Sequence, residues 1–330
     1  METVLSGIRP TGNLHLGNYY GALVNFIKMQ EENNCYFFIA DWHSLTTHPD
    51  PTLLHPNVKN VLSEYLAVGL SPEKSTIYIQ SDIKEVAELY LLLNMHAYLG
   101  ELEKTVSFKE KARQNPDNVN AGLFTYPVLQ AADILIHNSD YVPVGKDQEQ
   151  HLEMTRNYAK RFNYRYGVEY FKYPEAYNFG KELTKIPGLD GSGKMGKSEG
   201  NCIYLIDEPK VIEKKVKGAL TDNGPEGVNT PKPEYIENLF TILKVVSAPE
   251  VVAHYDNLWN AGETKWYGNL KKQLAEDIIK VTTPIRERIN AIKNDAVYLR
   301  KVQTEGAEKA RESAGKTLRD VREIMGFKSF

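Results

Sequence analysis

Apolar positions along the chain follow two spacings, and the change from one to the other divides it. Short apolar and β-branched runs at 3–8, 35–40, 75–80 and 141–144 read as buried strands bounded by polar or turn-forming residues. Between them, apolar positions recur every three or four residues. Leu16, Tyr20, Leu23 and Ile27 do so after the first run, a second helical stretch stops at Gly69, and 123–136 lead into the fourth run. That run leaves through Gly145 into a helix expected to begin near Asp147. Strands alternating with helices predict an α/β fold, a Rossmann-like parallel sheet with crossover helices on both faces. Ligands of such sheets sit beyond the carboxyl ends of the strands.

From Asp207 onward the strand pattern disappears. Val211, Ile212, Val216 and Leu220 fit one helical face, a Gly/Pro/Asn-rich break covers 222–233, and a last helix over about 305–325 carries Ala307, Ala310, Ala314, Leu318, Val321 and Met325 as an apolar stripe. A helical C-terminal domain is expected, with the final helix needing a partner surface.

Composition narrows the class without changing that picture. Across 330 residues, 42% are hydrophobic and 25% charged, as in a globular protein. The first residues lack the basic and apolar segments of a secretion signal, and no stretch is apolar enough to span a bilayer, so no membrane partner and a cytoplasmic location are expected. Cys35 and Cys202 are the only cysteines; no C-x-x-C pair offers a metal site, and no resident metal is expected. The net charge of −3 averages over residues 1–204, with 19 Lys+Arg against 24 Asp+Glu, and 205–330, with 21 against 19. Lys210, Lys214, Lys215 and Lys217 could face a polyanion or simply water.

Two constellations carry chemistry. The first, from Arg9 through Pro10, Thr11, Gly12, Asn13, Leu14, His15, Leu16 and Gly17 to Asn18, joins a strand to a helix start. Unpaired N–H groups there suit phosphate oxygens, Gly17 permits close approach, and His15 and Asn18 add donors for charge that builds on an α-phosphate. The second runs Gly191-Ser192-Gly193-Lys194-Met195-Gly196-Lys197-Ser198-Glu199-Gly200-Asn201. Glycines on either side let such a loop close, and its two ammonium groups can follow charge onto a leaving pyrophosphate. Each motif alone has a structural reading, a turn in one case and a solvated linker in the other.

Together they resemble the paired signatures of class I aminoacyl-tRNA synthetases. His15-Leu16-Gly17-Asn18 matches the H-I-G-H type, and Lys194-Met195-Gly196-Lys197-Ser198 matches K-M-S-K-S with Gly196 in place of serine. The segments 6–12, 100–103, 108–111, 126–135 and 142–151 extend the resemblance to the bacterial tryptophanyl branch over nearly the whole chain. The resemblance implies that Asp133 accepts an indole N–H, with Leu5, His43, Tyr126, Gln130 and Gln148 shaping the amino-acid pocket. It further implies that Arg9, Pro10, Thr11, Gly17, Asn18, Gly145, Lys146, Asp147, Ile186 and residues 194–198 contact ATP, with Lys111 as a further phosphate contact. His15, Asn18, Lys111, Lys194, Lys197 and Ser198 would then be the catalytic groups.

A phenol also donates a hydrogen bond, so Asp133 alone does not separate tryptophan from tyrosine. The spacing Tyr126-x3-Gln130-x2-Asp133 is also similar to tyrosyl enzymes. The implied activity is tryptophan–tRNA ligation, with Mg²⁺ arriving on ATP, L-tryptophan and tRNA(Trp) as partners, and a homodimer as the assembly. Implied domains are 1–181 for catalysis, 182–292 for anticodon recognition, and 293–330 as a helix returning to the first. A tyrosyl enzyme, a small-molecule nucleotidyltransferase and a non-catalytic binding protein are the alternatives.

Overall fold

The computed structural model describes residues 1–47, 49–114, 116–145, 148–177 and 185–328, without the side chains of Gln114 and Ser198. Strands β1 (Thr3–Ile8), β2 (Asn34–Ile39), β3 (Ser75–Ile79), β4 (Tyr141–Val142) and β5 (Glu175–Ala176) form one parallel sheet in the order β3-β2-β1-β4-β5. Val4 stands opposite Cys35 on one side and Tyr141 on the other. The order reverses between β1 and β4, which is where a parallel sheet opens a crevice for ligands.

Each central strand feeds two cores. Val4, Phe37, Ile39 and Ile77 face one cluster, while Leu5, Phe38 and Tyr78 face the other. This alternation follows from the two-residue repeat of a strand, and helices on both faces cover it. The fourth apolar run stays short as a strand because Pro143 has no N–H to continue the ladder. The two exposed residues of β5 carry no apolar run and were not anticipated.

The first helix is interrupted. Leu16–Asn18 and Val24–Met29 are α-helical, and Tyr19–Leu23 between them forms a π turn, a feature that often accompanies functional sites. Pro51–Val68 starts on the Asp50 carboxylate, which accepts Thr52 N–H at 2.8 Å, and stops at Gly69, whose φ of 116° suits glycine. The helix entered through Gly145 spans Glu149–Tyr166.

In the C-terminal part, Ile212 and Val216 of Pro209–Lys217 are buried, but Val211 is 40% exposed. Leu220, 46% exposed, lies beyond the Gly218 cap, so the expected four-residue face is two residues wide. Lys215 is not a free surface cation: it pairs with Asp207 at 2.6 Å. Tyr267–Asn294 buries Leu270, Leu274, Ile278 and Ile285 in the first core.

The last helix, Ala296–Ile324, starts earlier than its apolar stripe because Asp295 caps it, accepting Tyr298 N–H at 2.9 Å. It lies on β3, and Ala307, Ala310, Ala314, Leu318 and Val321 enter the second core. Small residues permit the approach: a Cβ at Gly306 would stand 1.8 Å from the Ile77 carbonyl oxygen. The expected boundary at 181/182 lies outside the described residues. Among the described residues no helix is long and apolar enough to cross a membrane.

Candidate active site

A cavity of about 670 Å³ opens at the carboxyl ends of β1, β2 and β4, at the point where the strand order reverses. Ser6, Gly7 and Arg9 line it from β1 and the loop beyond, Ala40, His43 and Thr46 from beyond β2, and Val142 to Gly145 from β4 and its exit. The helix Ala121–Ile136 supplies Tyr126, Gln130 and Asp133 from one face, at helical spacing.

One wall is built around Asp133, which is only 1% exposed. His43 Nε2 lies 2.8 Å from one carboxylate oxygen, and Gln80 Nε2 donates to both oxygens at 2.8 and 2.9 Å. Burial pushes the Asp133 carboxyl above its ordinary range, and the His43 and Gln80 hydrogen bonds oppose that shift. Nearby, Tyr126 OH hydrogen-bonds with Ser107 Oγ and with His151 Nε2, the latter at 2.8 Å, and His151 Nδ1 is 2.8 Å from Gln148 Oε1. Lys111 Nζ stands 4.1 Å from the Tyr126 ring centre, and burial, with Arg9 adding repulsion, lowers Lys111 to about 8.

The glycine-led loop and the lysine loop meet beside this cavity. Leu14 N–H donates to both Glu64 oxygens at 3.1 Å, its carbonyl accepts Leu205 N–H at 2.9 Å, and Leu16 N–H donates to the Ile203 carbonyl at 2.9 Å. His15 thereby bridges Tyr204, so the segment leaving the lysine loop is stitched to the first signature. His15 Nδ1 accepts Asn18 N–H at 3.3 Å, which places the ring proton on Nε2. Burial first, then Lys197 and Lys194, lower His15 to about 4, so its imidazole is neutral at pH 7. A Cβ on Gly17 would stand 2.8 Å from His15 Nδ1, so glycine here seats the imidazole.

Lys194 lines the cavity, whereas Lys197 Nζ donates to the Gly12 carbonyl at 2.9 Å and to Thr11 Oγ1 at 3.4 Å. Burial lowers Lys197, an effect that Glu64 opposes. Met195 is buried between the two lysines, and its N–H bonds the Ile186 carbonyl at 2.9 Å.

Of the residues expected from the sequence, the cavity wall brings together Leu5, Arg9, Lys111, His43, Tyr126, Gln130, Asp133, Gly145, Gln148 and Lys194. Thr11 and Lys197 meet at the rim, and His15, Gly17 and Asn18 form the adjoining helix start. Pro10 and Ile186 are buried and do not line the cavity, and Met195 and Gly196 serve the loop backbone. Lys146 and Asp147, and the side chain of Ser198, lie outside what is described. Gln80, His151 and Glu64 had no role in the sequence reading. Gln80 follows the third strand as His43 follows the second, so topology could have flagged it. Glu64 sits inside a helix with no local signal, and only the fold brings it to Leu14.

A parallel sheet whose cavity lies at the reversal point, with Arg9, Lys111 and Lys194 in its lining, suits an anionic ligand such as a nucleotide. The sequence pattern of the family described as tRNA synthetases class I (W and Y) matches residues 2–283, and the chain belongs to that family. It is 63% identical over 328 residues to a tryptophan–tRNA ligase of Porphyromonas gingivalis, covering 99% of this chain and 100% of that protein. A tryptophan–tRNA ligase of Clostridium tetani is 42% identical over 332 residues, covering 99% of this chain and 96% of that one. Among solved structures, tryptophanyl-tRNA synthetase from Campylobacter jejuni complexed with ADP and tryptophan superposes with a TM-score of 0.88 at 35% identity, covering 98% of this chain and 100% of that one.

Proposed function

We propose that this chain is a tryptophan–tRNA ligase whose cavity holds the amino acid against Asp133 and the ATP phosphates against Arg9, Lys111, Lys194 and Lys197. The observation that carries the reading is one continuous cavity with a buried carboxylate on one wall and lysines on the others. An indole N–H is a donor without acceptor capacity, so a carboxylate backed by His43 and Gln80 is a suitable partner. Tyr126 and Gln148 lie within the same wall and suit the ammonium group of the amino acid.

In the first step a carboxylate oxygen of tryptophan attacks the α-phosphorus of ATP. The new O–P bond forms as the bond to the bridging oxygen breaks, giving tryptophanyl-adenylate and pyrophosphate. The nucleophile is already ionised, so catalysis consists of positioning and charge stabilisation. His15 Nε2–H and the N–H groups of the helix start suit the α-phosphate, and Lys194 and Lys197 suit the departing pyrophosphate. Lys197 would exchange the Gly12 carbonyl for phosphate oxygens as ATP enters. Magnesium would be carried by the phosphates, neutralising charge on them, since the lining offers cations and N–H donors suited to anions rather than a carboxylate cage. In the second step a hydroxyl of the tRNA 3′-terminal ribose, the 2′-hydroxyl by family resemblance, attacks the mixed anhydride and releases AMP.

The domain over 182–292 would read the tRNA(Trp) anticodon, and the enzyme would act in the cytoplasm as a homodimer. Leu91, Met95, Tyr98 and Leu99, close in sequence and each more than half exposed, are apolar residues that a second copy would cover. Exchange of labelled pyrophosphate into ATP, with each of the twenty amino acids supplied separately, tests the assignment. Tryptophan alone should drive it; tyrosine-driven exchange would transfer the pocket to the tyrosyl reading, and no exchange with any of them would overturn the catalytic claim.

A further inference from the structure

One buried side chain makes four hydrogen bonds to the loop that carries both lysines and to its flank, alongside the Met195 N–H bond to Ile186 and the Asn238 amide bond to the Gly191 carbonyl at 2.8 Å. Asn201 is 6% exposed, and its Oδ1 accepts Gly196 N–H at 2.9 Å. Its Nδ2 donates to Asp190 Oδ1 at 3.0 Å, to Ser192 Oγ at 2.9 Å and to the Lys194 carbonyl at 3.2 Å. The partners dictate the amide orientation: an oxygen must meet Gly196 N–H, and an NH₂ must meet a carboxylate and a carbonyl. Asp190 also accepts Ser192 N–H at 3.1 Å and Ser192 Oγ–H at 2.6 Å.

Room for this hub comes from Gly188, where a Cβ would stand 2.1 Å from Asn201 Nδ2. Its bonds to the Lys194 carbonyl and to Gly196 N–H bracket the buried Met195. The backbone is therefore set at Lys194, whose side chain lines the cavity, and just before Lys197, whose ammonium reaches the Gly12 carbonyl. Glycine at 196 has no side chain to hold this turn, so the backbone N–H is the handle available there, and Asn201 takes it.

The geometry points to Asn201 as a positioning residue for amino-acid activation, acting through the backbone from which Lys194 and Lys197 reach the triphosphate. It rests on the reading of those lysines as phosphate-binding groups. Asn201 need touch neither substrate. Its effect belongs on the step in which pyrophosphate leaves, and not on tryptophan binding at Asp133.

The test is Asn201→Asp. It keeps an acceptor for Gly196 N–H but sets a carboxylate against Asp190 and against the Lys194 carbonyl, both of which the amide NH₂ had served. Tryptophan-dependent pyrophosphate exchange and tryptophan affinity by equilibrium dialysis are measured for it, with Lys197→Ala alongside. Asn201→Asp should lower kcat for exchange by roughly 30-fold or more with tryptophan affinity within about twofold. Two results would overturn the inference: Asn201→Asp exchanging within about threefold of the parent, or tryptophan affinity falling in step with exchange. If Lys197→Ala loses exchange while Asn201→Asp keeps it, only the role of Asn201 fails. If Lys197→Ala retains full exchange, the lysine reading fails and the inference falls with it.

Discussion

Replacing Asp133 by asparagine tests whether the amino acid is recognised through its ring N–H. Two donors already converge on the carboxylate, His43 Nε2 at 2.8 Å and Gln80 Nε2 at 2.8 and 2.9 Å, and the proposed indole N–H makes a third. A carboxylate can accept from all three. An amide has one acceptor oxygen, and its NH₂ must then face a donor, so at least one of the three loses its partner. A hydrogen bond to a charged acceptor contributes about 1.5–3 kcal/mol, which corresponds to roughly 10- to 150-fold in kcat/KM.

Pyrophosphate exchange would be followed with tryptophan and with an analogue carrying sulfur in place of the ring N–H. The parent should prefer tryptophan by about that factor, and Asp133→Asn should prefer it by less than about threefold, with KM for ATP within about twofold. A variant that keeps the full preference would refute the pairing of Asp133 with the ring N–H. An equal loss for ATP would show that the substitution acts on the whole site.

Other consequences concern charge and packing. Lys111, lowered to about 8 by burial, carries its charge at pH 7 and loses it as pH rises through 8. KM for ATP should therefore rise between pH 7 and 9, by up to about tenfold per unit above 8, and Lys111→Arg should flatten the profile. Glu64, raised to about 8 by burial, ionises over the same interval, so an unflattened profile in Lys111→Arg would assign the effect elsewhere. Gly306→Ala should destabilise the fold by about 3 kcal/mol, because its Cβ would meet the Ile77 backbone oxygen at 1.8 Å and no side chain can yield. Gly315→Ala on the same helix, whose Cβ would meet only the Arg319 guanidinium at 3.3 Å, should be neutral or slightly stabilising. Equal melting temperatures for the two variants would sink this account of the helix seat.

Neutral His15 has a mechanistic consequence. Burial first, and the neighbouring Lys197 and Lys194 second, disfavour an imidazolium here and lower His15 to about 4. In the proposed reaction, a neutral ring with its proton on Nε2 would serve as a donor without changing its charge state. The seam between the first signature and residues 203–205 also gives the lysine loop and the 9–18 segment a shared anchor.

Local pattern alone determined the α/β order, the strand at Thr3–Ile8, the helix stop at Gly69 and the two signature loops, because period, turn chemistry and glycine placement act over a few residues. Resemblance then named several residues of the cavity wall, including Asp133, His43 and Lys111. Tertiary structure decided what no local pattern encodes. Gln80 and His43 reach Asp133 from separate short helical turns after different strands, Glu64 holds Leu14 from 50 residues away, and Asn201 ties the lysine loop through Asp190 and Ser192. Those groups are polar residues in unremarkable local settings. Their roles arise because burial obliges each donor and acceptor to find a partner, and only the folded chain determines which partner is within reach.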